Sequence, residues 1–117
     1  MTLPAVRLLH MQPNDAAELL AFQLKAHKAP FFEREFRIDP KRRFRIDIFF
    51  PKERLAVEVD GGGWINGRHS RGNGMDADAE KSALIARLPA RLLRTTPKWI
   101  KNGHAVQWIL AALNAGD

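Results

Sequence analysis

Arg43-Phe44-Arg45-Ile46-Asp47-Ile48-Phe49-Phe50, then Pro51-Lys52-Glu53-Arg54, then Leu55-Ala56-Val57-Glu58-Val59-Asp60 is the stretch on which the fold turns. Two apolar, strand-forming runs flank a Pro-containing turn, and Gly61-Gly62-Gly63 ends the second run, which is the pattern of a β-hairpin. With the four turn residues looped out, Phe50 pairs with Leu55, and counting back sets Asp47 opposite Glu58. Directly opposed residues have Cβ atoms about 4.5–5.5 Å apart, and like charges there are destabilising. Two carboxylates facing each other on apolar strands imply a cation between them, so the hairpin reads as a divalent-metal site. Strict alternation puts Phe44, Ile46, Ile48 and Phe50 on one face and Arg43, Arg45, Asp47 and Phe49 on the other. In the partner strand Leu55, Val57 and Val59 alternate with Ala56, Glu58 and Asp60. The carboxylates then share a face, and a one-residue slip of register would bury them.

Upstream, Pro13-Asn14-Asp15 signals a helix from Asp15 to His27, with Leu19, Leu20, Phe22 and Leu24 as its apolar set and Pro30 closing it off. Phe32 to Ile38 reads as a strand, and Asp39-Pro40-Lys41-Arg42 as a basic turn leading into the hairpin. Downstream, Gly61 to Met75 is glycine-rich, holds Trp64, Arg68, His69 and Arg71, and reads as an exposed functional loop. A helix is expected over Asp76 to Leu88, with Ala77, Lys81, Leu84, Ile85 and Leu88 along one stripe, stopped by Pro89. Ala90 to Thr95 reads as a short strand, Thr96-Pro97 opens a helical turn through Trp99 and Ile100, and a last helix runs from His104 to Asn114. Trp99 and Trp108 are expected in the core. The order α-β-β-β-α-β-α predicts an α/β chain with a mixed four-stranded sheet and helices on its faces.

The 117 residues suit one domain spanning 1–117. With 19 Lys+Arg against 13 Asp+Glu, the net charge of +6 points to a polyanionic partner, nucleic acid before anionic membrane. In such a protein the natural substrate for a carboxylate-held metal is a phosphodiester. The absence of cysteine excludes disulfides, thiolate zinc sites and cysteine nucleophiles, and fits a cytoplasmic location. Met1 to Met11 is too short for a membrane span and lacks a cleavage pattern, so no membrane is expected.

An aspartate on one strand, followed about ten residues later by Glu-x-Asp at the end of the next, resembles the PD-(D/E)XK nuclease superfamily. The likeness is to its small branch of very-short-patch-repair endonucleases and phage or prophage nuclease-like domains. Arg45-Ile46-Asp47-Ile48-Phe49-Phe50-Pro51, Leu55 through Gly62, Gly67-Arg68-His69-Ser70-Arg71-Gly72, Asp78-Ala79-Glu80-Lys81 and Leu92 through Pro97 carry it. The resemblance implies a restriction-endonuclease-like core and a Mg²⁺-dependent DNA endonuclease, with Mn²⁺ substituting. It further implies that Asp47, Glu58 and the Val59 carbonyl ligate the metal. An acidic residue of the first helix often lies near it, for which Glu18 is the candidate, with Gln23 and then Asp15 as alternatives.

The chain departs from the family where Asp60 takes the slot of the usual motif lysine. Lys81, leaving from the apolar stripe of the following helix, is the candidate replacement, and Asp60 is either a second ligand or a cap on the glycine turn. His69 is a candidate general acid-base by likeness to histidines of the repair branch. Lys41, Arg42, Arg43 and Arg45 beside Asp47, and Arg68 and Arg71 around His69, are candidate phosphate contacts. Trp64 either stacks against a base or packs the loop down. With no separate recognition domain, high specificity implies a homodimer, recognition by loops or a partner protein. The alternative function is a catalytically weak nuclease fold that binds DNA or serves as a partner subunit.

Overall fold

The computed structural model describes residues 13–61 and 71–115. In chain order these form α1 (Pro13–Ala26), β1 (Glu33–Arg37), β2 (Arg45–Phe50), β3 (Leu55–Val59), α2 (Arg71–Arg87), β4 (Arg91–Thr95), α3 (Pro97–Lys101) and α4 (His104–Ala115). The chain is α/β, with a four-stranded mixed sheet in the order β1-β2-β3-β4 flanked by helices. The first three strands pair antiparallel and β4 joins β3 in parallel. This is the expected α-β-β-β-α-β-α order, with the helical turn at Pro97 standing as α3 ahead of the last helix. No helix among the described residues is long and apolar enough to cross a membrane.

One face of the sheet carries the larger core. Ala16, Leu20 and Leu24 recur every four residues along α1 and bury against Ile48, Phe50, Leu55 and Val57, with Ile100, Val106, Ile109 and Leu113 closing the layer. Each fully buried Leu, Ile or Phe contributes about 1.5–3 kcal/mol. Phe22, expected in the apolar set of α1, is half exposed, because position 22 points away from the stripe that Leu20 and Leu24 define. Trp108, expected in the core, is 42% exposed, since α4 buries the stripe of Ala105, Val106, Ile109 and Leu113 instead.

The hairpin has the expected register: Phe50 pairs with Leu55, Phe49 with Ala56 and Ile48 with Val57. The expected alternation fails one residue further on. Ile46 belongs to the second, smaller core with Phe49, Ala56 and Ile85 of α2, while Ile48 and Phe50 lie in the first. The break coincides with a kink in β1, whose pairs with β2 lie on either side of Glu35, at Arg34↔Ile48 and Phe36↔Ile46. Glu35 itself has φ 53, the left-handed region that side chains disfavour. Across from it stands Asp47, the residue at which inward and outward positions exchange.

Helix α2 begins at Arg71, five residues before the expected Asp76, so Arg71 to Met75 is helix and not loop. Gly72 and Gly74 suggested a loop, but each costs a helix only about 1 kcal/mol, which a long packed helix outweighs. Ile48→Ala, which empties a fully buried position, is expected to destabilise by about 2–5 kcal/mol, read as a lower urea midpoint at unchanged slope. Phe31→Ser, at a residue 72% exposed, should leave the unfolding free energy within about 0.5 kcal/mol of wild type.

Candidate functional site

Where the β2–β3 ladder ends at Ile48 and Val57, the two carboxylates take over the backbone partners. The Asp47 N–H donates to Glu58 Oε2 at 3.1 Å, and the Val59 N–H donates to Asp47 Oδ2 at 2.8 Å. The pair therefore forms a reciprocal clasp, each acid held by backbone on the opposite strand. Such charge-assisted bonds are about twice as strong as neutral ones and fix both side chains in place.

The carboxylates do not lie on a solvent face. Glu58 is buried, 8% exposed, because α2 crosses this side of the sheet. Lys81 reaches down from α2 and donates from Nζ to Glu58 Oε1 at 2.5 Å. A cation thus sits beside the opposed carboxylates, and it is the lysine expected from the apolar stripe of the helix. Together Asp47, Glu58 and Lys81 carry a formal charge of −1.

Burial pushes the Glu58 carboxyl above its ordinary value of 4.5. The hydrogen bond and charge of Lys81 pull it back down, the Asp47 charge pushes it up, and the Asp47 backbone bond lowers it again. Desolvation prevails, so Glu58 is ionised at a cost that Lys81 only partly offsets.

Asp60, two residues on, accepts from Arg94 of β4 at 3.2 and 3.3 Å. Arg94 is a neighbour of the site that the sequence does not single out, because β4 reads Arg91-Leu92-Leu93-Arg94-Thr95 with two arginines alike. Parallel pairing of β3 with β4 places Arg94 beside Glu58. Glu18 lies on the exposed side of α1 and accepts from Arg34 at 2.6 Å, a contact that links α1 to β1. Gln23 donates to the Ile100 carbonyl at 3.1 Å, tying α1 to α3. Structure thus joins Asp47, Glu58 and Lys81, and gives Asp60 and Glu18 arginine partners of their own.

Three successive positions of α2 grip three parts of the sheet. Glu80 pairs with Arg42 of the basic turn, Lys81 with Glu58 of β3, and Ser82 accepts from Arg94 of β4 at 3.5 Å. The turn held by Glu80 is the cationic one: Lys41, Arg42, Arg43 and Arg45 are exposed, and Arg45 faces exposed Arg37 directly across the strands. Opposed like charges are unfavourable, so this end of the hairpin is suited to an anion. Trp64, Arg68 and His69 lie outside the described residues, as does the side chain of Arg71.

Among the described residues no group of three or more acidic, His or Cys side chains converges as a metal cage. Carboxylate and carbonyl oxygens are the donor type that a hard cation such as Mg²⁺ takes, and here both Glu58 oxygens and Asp47 Oδ2 already accept hydrogen bonds. No protein-family model matches the chain, and neither a curated protein nor a solved structure matches it.

Because the folded Glu58 carboxyl titrates above the unfolded value of 4.5, the stability it contributes is complete below 4.5 and is lost as pH rises through the raised value. In EDTA, Glu58→Gln removes this titration. From about pH 4 to about pH 7 the variant's melting temperature should therefore rise relative to wild type. A difference that stays constant, or that falls, would contradict the burial cost assigned to this carboxylate.

Proposed function

We propose that this chain is a phage- or prophage-associated, metal-dependent DNA endonuclease that hydrolyses phosphodiester bonds, acting in the cytoplasm on phage or bacterial DNA. The observation that carries the reading is the convergence of Asp47, Glu58 and Lys81 from β2, β3 and α2. The exposed arginines of the adjoining turn and the chain's +6 charge support a polyanionic substrate. The resemblance to the PD-(D/E)XK superfamily points the same way.

Asp47, Glu58 and the Val59 carbonyl would hold Mg²⁺, or Mn²⁺ in its place. Bound there, the ion would polarise the scissile phosphate and lower the pKa of an attacking water. The protein's own part is positional and electrostatic. The clasp with the Asp47 and Val59 amides holds both carboxylates in place before substrate arrives. Lys81 supplies the positive charge that the Asp60 slot lacks, orienting the water or meeting the charge that develops on phosphorus.

His69 is the proposed proton donor or acceptor and Asp60 the outer acid of the site, while Glu18, paired with Arg34 on the α1 side of the sheet, would act only at the rim of the DNA path. Lys41, Arg42, Arg43, Arg45, Arg68 and Arg71 would grip phosphates on either side of the scissile bond, and Trp64 would stack on a base. Cutting both strands with one such centre calls for a homodimer or a partner protein. A second reading, a catalytically weak nuclease fold that binds DNA or serves as a partner subunit, is favoured by one observation. Asp60 occupies the lysine slot and is already paired with Arg94.

Supercoiled plasmid, mismatched duplex and branched DNA, each incubated with Mg²⁺, Mn²⁺ or EDTA, test the proposal. Metal-dependent nicks or breaks are expected, abolished by Asp47→Asn with the fold and most DNA affinity retained. Lys81→Met should lower turnover by about 10²–10³-fold, as for removal of a group that meets developing charge. Binding without cleavage of any substrate would favour the second reading, and unchanged turnover in Lys81→Met would remove that lysine from the chemistry.

Metal binding should also follow pH. A cation must displace the proton that burial favours on Glu58, so Mn²⁺ affinity is expected to increase as pH rises above 4.5 through the raised value. Titration calorimetry in two buffers of different ionisation heat would register the released proton. An affinity independent of pH over that window would place the ion elsewhere.

A further inference from the structure

The positive charge of this protein is not spread evenly. From Lys81 to Gly116 there are six cations, Lys81, Arg87, Arg91, Arg94, Lys98 and Lys101, and no Asp or Glu. That excess equals the whole net charge of +6, so the remainder of the chain is balanced. Within this segment lies an aromatic group that the proposed chemistry does not use. The rings of Trp99, His104 and Trp108 gather with centroids 5.0 Å apart for the two tryptophans, and 5.3 and 5.8 Å from His104 to each. His104 and Trp108, one turn apart on α4, are both exposed, and the Lys98 ammonium stands 5.3 Å from the centre of the Trp99 ring. Lys98 and Lys101 are exposed on α3 beside them.

An exposed indole whose surroundings hold cations and no acidic residue on either helix suits a flat, electron-rich partner bearing negative charge. A nucleobase on a phosphate backbone has both properties, and aromatic stacking with a base is worth about 1–3 kcal/mol where the base is unpaired. The cluster lies on the α1 side of the sheet, where Trp99 packs against the larger core, and the helix that carries Trp99 starts beside the end of β3. Gly61, three residues past Glu58, lies so close to Pro97 that a Cβ there would stand 3.1 Å from Pro97 Cδ. Helix α3 therefore enters where β3 leaves.

We propose that Trp108, with Trp99 and His104 behind it, is a stacking platform for an unpaired base of a DNA strand whose phosphates Lys98 and Lys101 hold. The inference deepens the nuclease reading by giving the protein a preference for substrates with an unpaired strand, such as a flap or gap. It rests on that reading for its ligand, DNA, and not for the metal chemistry.

The test is binding in EDTA of a fluorescein-labelled twelve-base oligothymidylate and of an abasic deoxyribose-phosphate oligomer of equal length. The two carry the same charge and differ only in bases. Wild type should bind the oligothymidylate about tenfold more tightly. Trp108→Ala should cut that preference about fivefold or more, and Trp108→Phe, which keeps a ring, should restore most of it. Replacing Lys98 and Lys101 together by Ala should weaken both oligomers alike and reduce the salt slope by about 1.4 for two phosphates.

Equal affinity of wild type for the two oligomers, or a preference undiminished in Trp108→Ala, overturns the proposal. So does a dimer seen by sedimentation that Trp108→Ala dissolves, because the platform would then be an interface between copies. A base preference lost with Trp108 in a protein that cleaves nothing would uphold the platform while sinking the nuclease. Cleavage without base preference would do the reverse.

Discussion

A buried carboxylate must be neutralised, and the way Glu58 meets that demand organises much of this fold. Removing such a charge from water costs several kcal/mol unless a partner and hydrogen bonds compensate. Here the partner comes from α2, so that helix must cross β3 with Lys81 over Glu58. Once that is set, Ile85, one turn further along, falls among Ile46, Phe49 and Ala56 and closes the second core. The electrostatic and the apolar anchors of α2 are thus four residues apart on a single face. Glu80 and Ser82 then secure the flanking turn and β4. Without the ion pair there would be little to fix the rotation of a helix whose first turns carry two glycines.

The same arrangement separates two electrical scales. Locally the clasp is slightly negative, with two carboxylates and one ammonium inside a shell of backbone dipoles. At longer range the chain is positive, and its excess lies on the elements after Lys81 and in the turn before Asp47. A polyanion is drawn by the outer field and meets the inner negative charge only at contact, where a cation can mediate. Salt screens the first and barely touches the second, because the Debye length is about 8 Å at physiological ionic strength while the clasp is buried.

The hairpin was legible in the sequence because its constraints are local. A four-residue turn and period-two apolar runs leave only one register that keeps Phe50 against Leu55. Lys81 was legible for the same reason, as a lone cation in a helical stripe of Ala77, Leu84 and Ile85. What escaped depends on contacts between distant segments. Glu35 and Asp47 are twelve residues apart, and nothing in either stretch reveals that one takes a left-handed conformation while the other reverses the faces of β2. The partner of Asp60 comes from β4, thirty-four residues later, through a parallel pairing that no turn announces. The early start of α2 was hidden by glycines whose local preference is weak beside tertiary packing. Trp108 was misjudged because hydrophobicity alone does not say which side of a helix faces its neighbours.

The kink at Glu35 also bears on how copies of this chain can meet. β1 is an outer strand of the sheet, and an unpaired strand edge is a template onto which another chain can add. Here that edge reads Glu33-Arg34-Glu35-Phe36-Arg37, four charges in five residues, bent in the middle by a left-handed residue. A second strand laid along it would lose its hydrogen-bond partners at the bend and desolvate the charges. The sheet is thereby capped against growing from one molecule into the next on this side. Any assembly that uses this protein is steered away from this edge, toward surfaces where shape and side-chain chemistry, not the generic stickiness of backbone, select the partner.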